Sequence, residues 1–81
     1  MRQDVFNAIC DVAGELRRQT IGKPLAIRIS SYPFIGHYAL VIRIIDTKGV
    51  GSVNEISVGA VEQFGADRVA KAILEQREEV I

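Results

Sequence analysis

Residues 25–46 read LAIRISSYPFIGHYALVIRIID, and the fold turns on where this stretch reverses. Leu25, Ile27 and Ile29 alternate with Ala26, Arg28 and Ser30, the period-two pattern of a strand with one buried face. Tyr38 to Asp46 is dense in β-branched residues, which suit a pleated, half-buried surface. A four-residue reversal at Pro33 to Gly36 predicts an antiparallel pair in which Leu25 faces Ile44, Ile27 faces Ile42 and Ile29 faces Leu40. These aliphatic side chains then share one face. Ala26, Arg28, Ser30 and Tyr32 share the other with Arg43, Val41, Ala39 and His37. A slip of one residue would mix the two sets.

Downstream, Asp46-Thr47-Lys48-Gly49 has the Asp-first, Gly-last preference of a type I turn. It predicts a return into a short third strand, Val50 to Asn54, with Val53 facing Ile42. Gly51 marks a bulge or an edge in that strand. Upstream, Val5, Phe6, Ile9, Val12, Ala13 and Leu16 recur at three- and four-residue spacing between about Asp4 and Gln19, the signature of an amphipathic helix. Arg17 and Arg18 favour its negative end, and Gly22 followed by Pro24 stops it. From Ser57 to Glu79 a second helix carries Val58, Val61, Val69, Ala72 and Ile73 on one side, with Ser57 or Asn54 available as N-cap and Phe64 and Leu74 at the rim. Gly65-Ala66 ahead of Asp67 allows a break. Its last turn is expected to open first, because Glu75, Glu78 and Glu79 stand near the negative end with only Arg77 against them.

The expected architecture is therefore α+β, a single domain over residues 1–81 in the order helix, three antiparallel strands, helix, with both helices on one face of the sheet. That order resembles the topology of the double-stranded RNA-binding domain. Ser57 to Glu62 holds no base where that family opens its second helix with lysines, and the family's glycine-rich third strand is matched only at Gly49 and Gly51. The resemblance is one of shape and carries no functional residue.

Composition narrows the setting. The chain is 48% hydrophobic and 25% charged, close to the globular average, so a packed core is expected. The lone cysteine, Cys10, has no partner for an internal disulfide, which points to a reducing, cytoplasmic compartment. Met1-Arg2-Gln3-Asp4 meets acids where a secretory leader needs an apolar run, and the apolar run Tyr38 to Ile42 is too short to span a bilayer, so no membrane partner is expected. Ten basic and ten acidic side chains cancel. Seven of the bases and four of the acids fall in residues 1–48, leaving that half at +3 and the rest at −3.

Chemistry-bearing residues are sparse. His37 sits in or beside the hairpin loop, and Cys10 lies at the edge of the first helix's apolar stripe as a small core-filling thiol. Neither has a visible base, nucleophile or ligand set, so no catalytic, metal or cofactor residue is expected and the chain reads as a non-enzyme. Lys48-Gly49-Val50-Gly51-Ser52 matches no phosphate-binding fingerprint. A helix-turn-helix across Gly65 would have a recognition helix bearing Asp67, Glu75, Glu78 and Glu79, which phosphates repel. Two candidate interaction surfaces remain: the aromatics Tyr32, Phe34 and Tyr38 at the hairpin tip, and Arg28 and Arg43 with Tyr32 and His37 on the sheet face away from the helices. With Ala26, Ala39, Val41 and Ile45 also there, the face is apolar enough to expect a partner. The leading expectation is a protein–protein interaction module, homodimeric or part of an assembly. A nucleic-acid binder on the same face is the alternative, and an enzyme the third.

Overall fold

A computed structural model describes the backbone of residues 2–79 and the side chains of residues 2–76. The elements run α1 (Gln3–Gln19), β1 (Ala26–Phe34), β2 (His37–Ile45), β3 (Gly51–Ser57), α2 (Val58–Phe64) and α3 (Ala66–Glu79). The strands form one antiparallel sheet in the order β1-β2-β3. The helices cover one face of it, as the alternation required. The side chains of Arg77, Glu78 and Glu79, on which the expected weakness of the last turn rests, and Val80 and Ile81 lie outside the described residues.

The core forms where β2 meets the helices. Leu40, Ile42 and Ile44 are fully buried against Val5, Val12 and Leu16 of α1, with Val58 and Val61 of α2 and Val69, Ala70 and Ile73 of α3 completing the cluster. Phe6, expected in the stripe of α1, is half exposed instead. The buried line is Val5, Ala8, Val12 and Leu16, and a residue one position along is turned about 100° from it. The same geometry leaves Cys10 exposed, contrary to the expected core-filling thiol. Thr20 closes α1 by donating its hydroxyl to the carbonyl of Leu16 at 2.7 Å. Ser57 caps α2, its Oγ accepting from the amide of Ala60 at 3.1 Å. Helix two does break. Gly65 takes φ 89° and ψ 144°, a conformation essentially reserved for glycine, and α3 leaves in a new direction to pack chiefly along α1. Gln19 ties the two by donating to the carbonyl of Asp67 at 3.2 Å.

Both hairpins correct the expected registers. β1 and β2 pair Ile27 with Ile44 and Ile29 with Ile42, two residues away from the expected pairing. The reversal takes two residues, Ile35 and Gly36 with φ 30° and 77°, the signs of a type I′ turn, so Pro33, Phe34 and His37 belong to the strands. A shift of two preserves the faces.

β2 and β3 pair one residue away from the expected register, which does not preserve the faces. Asp46 donates to the carbonyl of Val50 at 2.9 Å across a three-residue loop, with Gly49 at φ 79° supplying the left-handed position that such loops require. The Asp46 carboxylate holds the loop by accepting from the amides of Lys48 and Val50 at 2.9 and 3.0 Å. Asn54 consequently lies opposite Ile42, while Val53 faces Arg43 on the open side and is 62% exposed. β3 is longer than expected and runs directly into the N-cap of α2.

Candidate functional interface on the open sheet face

The face away from the helices is built in cross-strand rows: Ala26, Ile45 and Gly51; Arg28, Arg43 and Val53; Ser30, Val41 and Glu55; Tyr32, Ala39 and Ser57; and, at the tip, Phe34 and His37. The observed register makes Arg28 and Arg43 direct opposites. The two-residue turn also makes them a hydrogen-bonded pair of the ladder, with Cα atoms about 5.5 Å apart. Two like charges so placed disfavour the pairing locally. Neither forms an ion pair among the described residues. The acid nearest in the rows, Glu55, is engaged elsewhere: its carboxylate accepts the hydroxyl of Tyr32 at 3.1 Å.

That hydrogen bond organises the upper part of the face. It draws the Tyr32 ring across β2 toward β3, over the row that contains Ala39, which is buried despite having no helix above it. The bond to Glu55 holds the Tyr32 phenol above its ordinary pKa because it favours the protonated form; burial and the charge of Glu55 act in the same direction. Tyr32 meets Phe34 edge to face at 6.3 Å between centroids, and Phe34 meets the His37 ring at 5.4 Å. His37 Nδ1 lies 3.1 Å from the carbonyl oxygen of Ile35, which can only accept, so Nδ1 carries the proton in that contact.

Five of the six expected interaction residues therefore share this face: Arg28, Tyr32, Phe34, His37 and Arg43. Tyr38 does not. Its neighbour His37 points to the open face, so Tyr38 turns to the helix side, where the guanidinium of Arg2 lies 5.0 Å from its ring centroid. Val53 and Glu55 join the face, and no signal ahead of the correct β2–β3 register identifies them. Ile35, which the sequence sets beside Phe34 in the hairpin loop, is the second apolar residue of the tip. It stands at the extreme tip, 87% exposed, with a β-branched side chain at positive φ where asparagine or glycine is the usual choice.

The arrangement sets apolar and cationic groups side by side on one exposed face. Exposed apolar groups, Ile45 and Val53 at one end and Phe34 and Ile35 at the other, flank two cations. Among the described residues no group of three or more His, Cys, Asp or Glu side chains could hold a metal ion, and no helix is long and apolar enough to cross a membrane. Cys10 and His37 lie on opposite sides of the sheet. Compared with protein-family models, curated proteins and solved structures, the chain matches none.

Proposed function

We propose that this chain is a protein–protein interaction module that presents its open sheet face to an acidic partner. The observation that carries the reading is the direct opposition of Arg28 and Arg43 without an anion of their own, bordered by exposed Val53 and Ile45. A carboxylate from outside would relieve the repulsion between the guanidiniums, and a guanidinium binds carboxylate in a bidentate geometry. The apolar border supplies area that a charge pair alone lacks.

A nucleic acid fits this face less well. Duplex binders commonly neutralise about six to ten phosphates, whereas this face offers two cations and sets the carboxylate of Glu55 in the next row. A second copy docked face to face about a two-fold axis through the arginine row would bring four guanidiniums together, so a different, acidic chain is favoured over self-association. A cytoplasmic setting belongs to the same proposal and is supported by the single cysteine.

The test is affinity capture from the source cells after nuclease treatment, comparing wild type with Arg43→Glu. Wild type should retain an acidic polypeptide that the variant loses. Retention of nucleic acid before nuclease treatment, or an identical set of proteins on Arg43→Glu, would overturn the proposal.

A further inference from the structure

Where α3 diverges from the sheet, it leaves a groove of about 360 Å³ along the outer side of β3. Its lining is mainly apolar, with Ile56 from the strand, Phe64 from the end of α2, and Val69, Ala72 and Ile73 from α3, while Asn54, Glu55, Arg68 and Gln76 add polar groups. Phe64 is half exposed here and belongs neither to the core nor to the open sheet face.

Among the described residues no strand pairs with the outer edge of β3. In an antiparallel ladder the hydrogen-bonding direction alternates from residue to residue. The bond from Asp46 to Val50 fixes the phase, so Ser52, Asn54 and Ile56 exchange bonds with β2, while Gly51, Val53 and Glu55 turn their N–H and C=O groups outward. β3 contains no proline or lysine, the residues that commonly guard an edge. The β1 edge is different, because by the same alternation Pro33 occupies an outward position there and has no N–H to offer.

We infer that the β3 edge and the α3 groove together form a peptide-binding site that takes an extended segment of a partner protein by strand addition. An added strand lies about 4.8 Å beyond β3, and its side chains alternate between the two sides. Those on the helix side enter the apolar groove. Those on the other side extend the row of Arg28, Arg43 and Val53, with Arg43 one strand further in. The ligand chemistry follows from the two sides: aliphatic residues at every second position and uncharged polar residues between them, because Glu55 on the edge strand repels an acid set beside it while Arg43 lies one strand further in. The site is separate from the arginine-centred docking proposed above, since its hydrogen bonds come from backbone and its pocket lies on the opposite side of the sheet.

The test uses the full chain with two capped synthetic peptides of identical composition. In one, valine and threonine alternate over about seven residues; in the other, the valines and the threonines are in separate blocks. Amide exchange followed by NMR should show the Val53 and Glu55 amides slowed about tenfold or more at saturating alternating peptide, with the block peptide binding at least about tenfold more weakly. Ala72→Arg fills the groove from an exposed helical position that tolerates arginine, and it should weaken the alternating peptide about tenfold or more. Arg17→Ala, exposed on α1 and away from both surfaces, should leave that affinity within about twofold. Equal binding of the two peptides would overturn the site, as would unprotected Val53 and Glu55 amides or protection at Ile27, Ile29 and Ser31 on the β1 edge. Protection that rises with protein concentration without peptide would assign the groove to a second copy and overturn the proposed ligand.

Discussion

Ile35 is predicted to be a site where a polar substitution stabilises the fold. Its φ of 30° places a β-branched residue in the left-handed region, which costs an L-residue about 1–2 kcal/mol, while asparagine enters it with far less resistance. Little packing opposes the exchange. A fully buried isoleucine contributes about 1.5–3 kcal/mol, and this one is 87% exposed, so roughly 0.2–0.4 kcal/mol of burial is at stake. Ile35→Asn should therefore raise stability by about 1 kcal/mol, which in a domain of this size is a rise in Tm of about 4–8 °C. Urea unfolding gives the sharper reading: the midpoint should move up with the slope unchanged. A lowered or unmoved midpoint would refute the reasoning and mean that the Ile35 side chain makes contacts that offset its backbone strain. Strain retained at an exposed apolar tip is also the pattern of a residue kept for contact, so the same variant is expected to bind its captured partner more weakly.

Three further outcomes follow from the structure. Ile42→Ala should cost about 2–5 kcal/mol in urea unfolding, and Val53→Ala less than about 0.5 kcal/mol; equal costs would contradict the β2–β3 register. Cys10 should react stoichiometrically with a thiol reagent in the native protein at the rate of an exposed thiol, and a need for denaturant would contradict its placement on α1. A near-ultraviolet titration should show one tyrosine ionising above the ordinary range, and Glu55→Ala should lower that midpoint. Because the folded phenol is raised, the stability it contributes is present below the ordinary tyrosine pKa and is lost as pH climbs through the raised one; an unchanged midpoint in the variant would deny the Tyr32–Glu55 bond.

The elements that bury a periodic apolar face were legible in the sequence, because periodicity is what burial imposes. α1, the first two strands and their facing sides could be read from Val12, Leu16, Ile27, Ile42 and Ile44. Residue-level pairing could not, since register depends on turn geometry, and Ile35-Gly36 does not have the composition of a type I′ turn. The first error cost nothing in function, as a two-residue shift keeps Arg28 and Arg43 on their face and brings them opposite each other. The second mattered more. A three-residue loop in place of a two-residue turn flipped β3, turned Val53 and Glu55 outward and put Asn54 toward the helices. The break at Gly65 was visible as a possibility, but the groove it opens depends on the direction in which α3 departs, which arises from packing on α1.

The central claim is that Arg28 and Arg43 lie at the centre of a protein-binding surface, and arginine-directed footprinting of the unmodified protein tests it without any substitution. With the captured partner bound, Arg28 and Arg43 should lose reactivity toward a dicarbonyl reagent, while Arg17, exposed on α1 on the other side of the sheet, keeps it. Unchanged reactivity at Arg28 and Arg43 together with protection of Arg17 would place the partner on the helices and contradict the account.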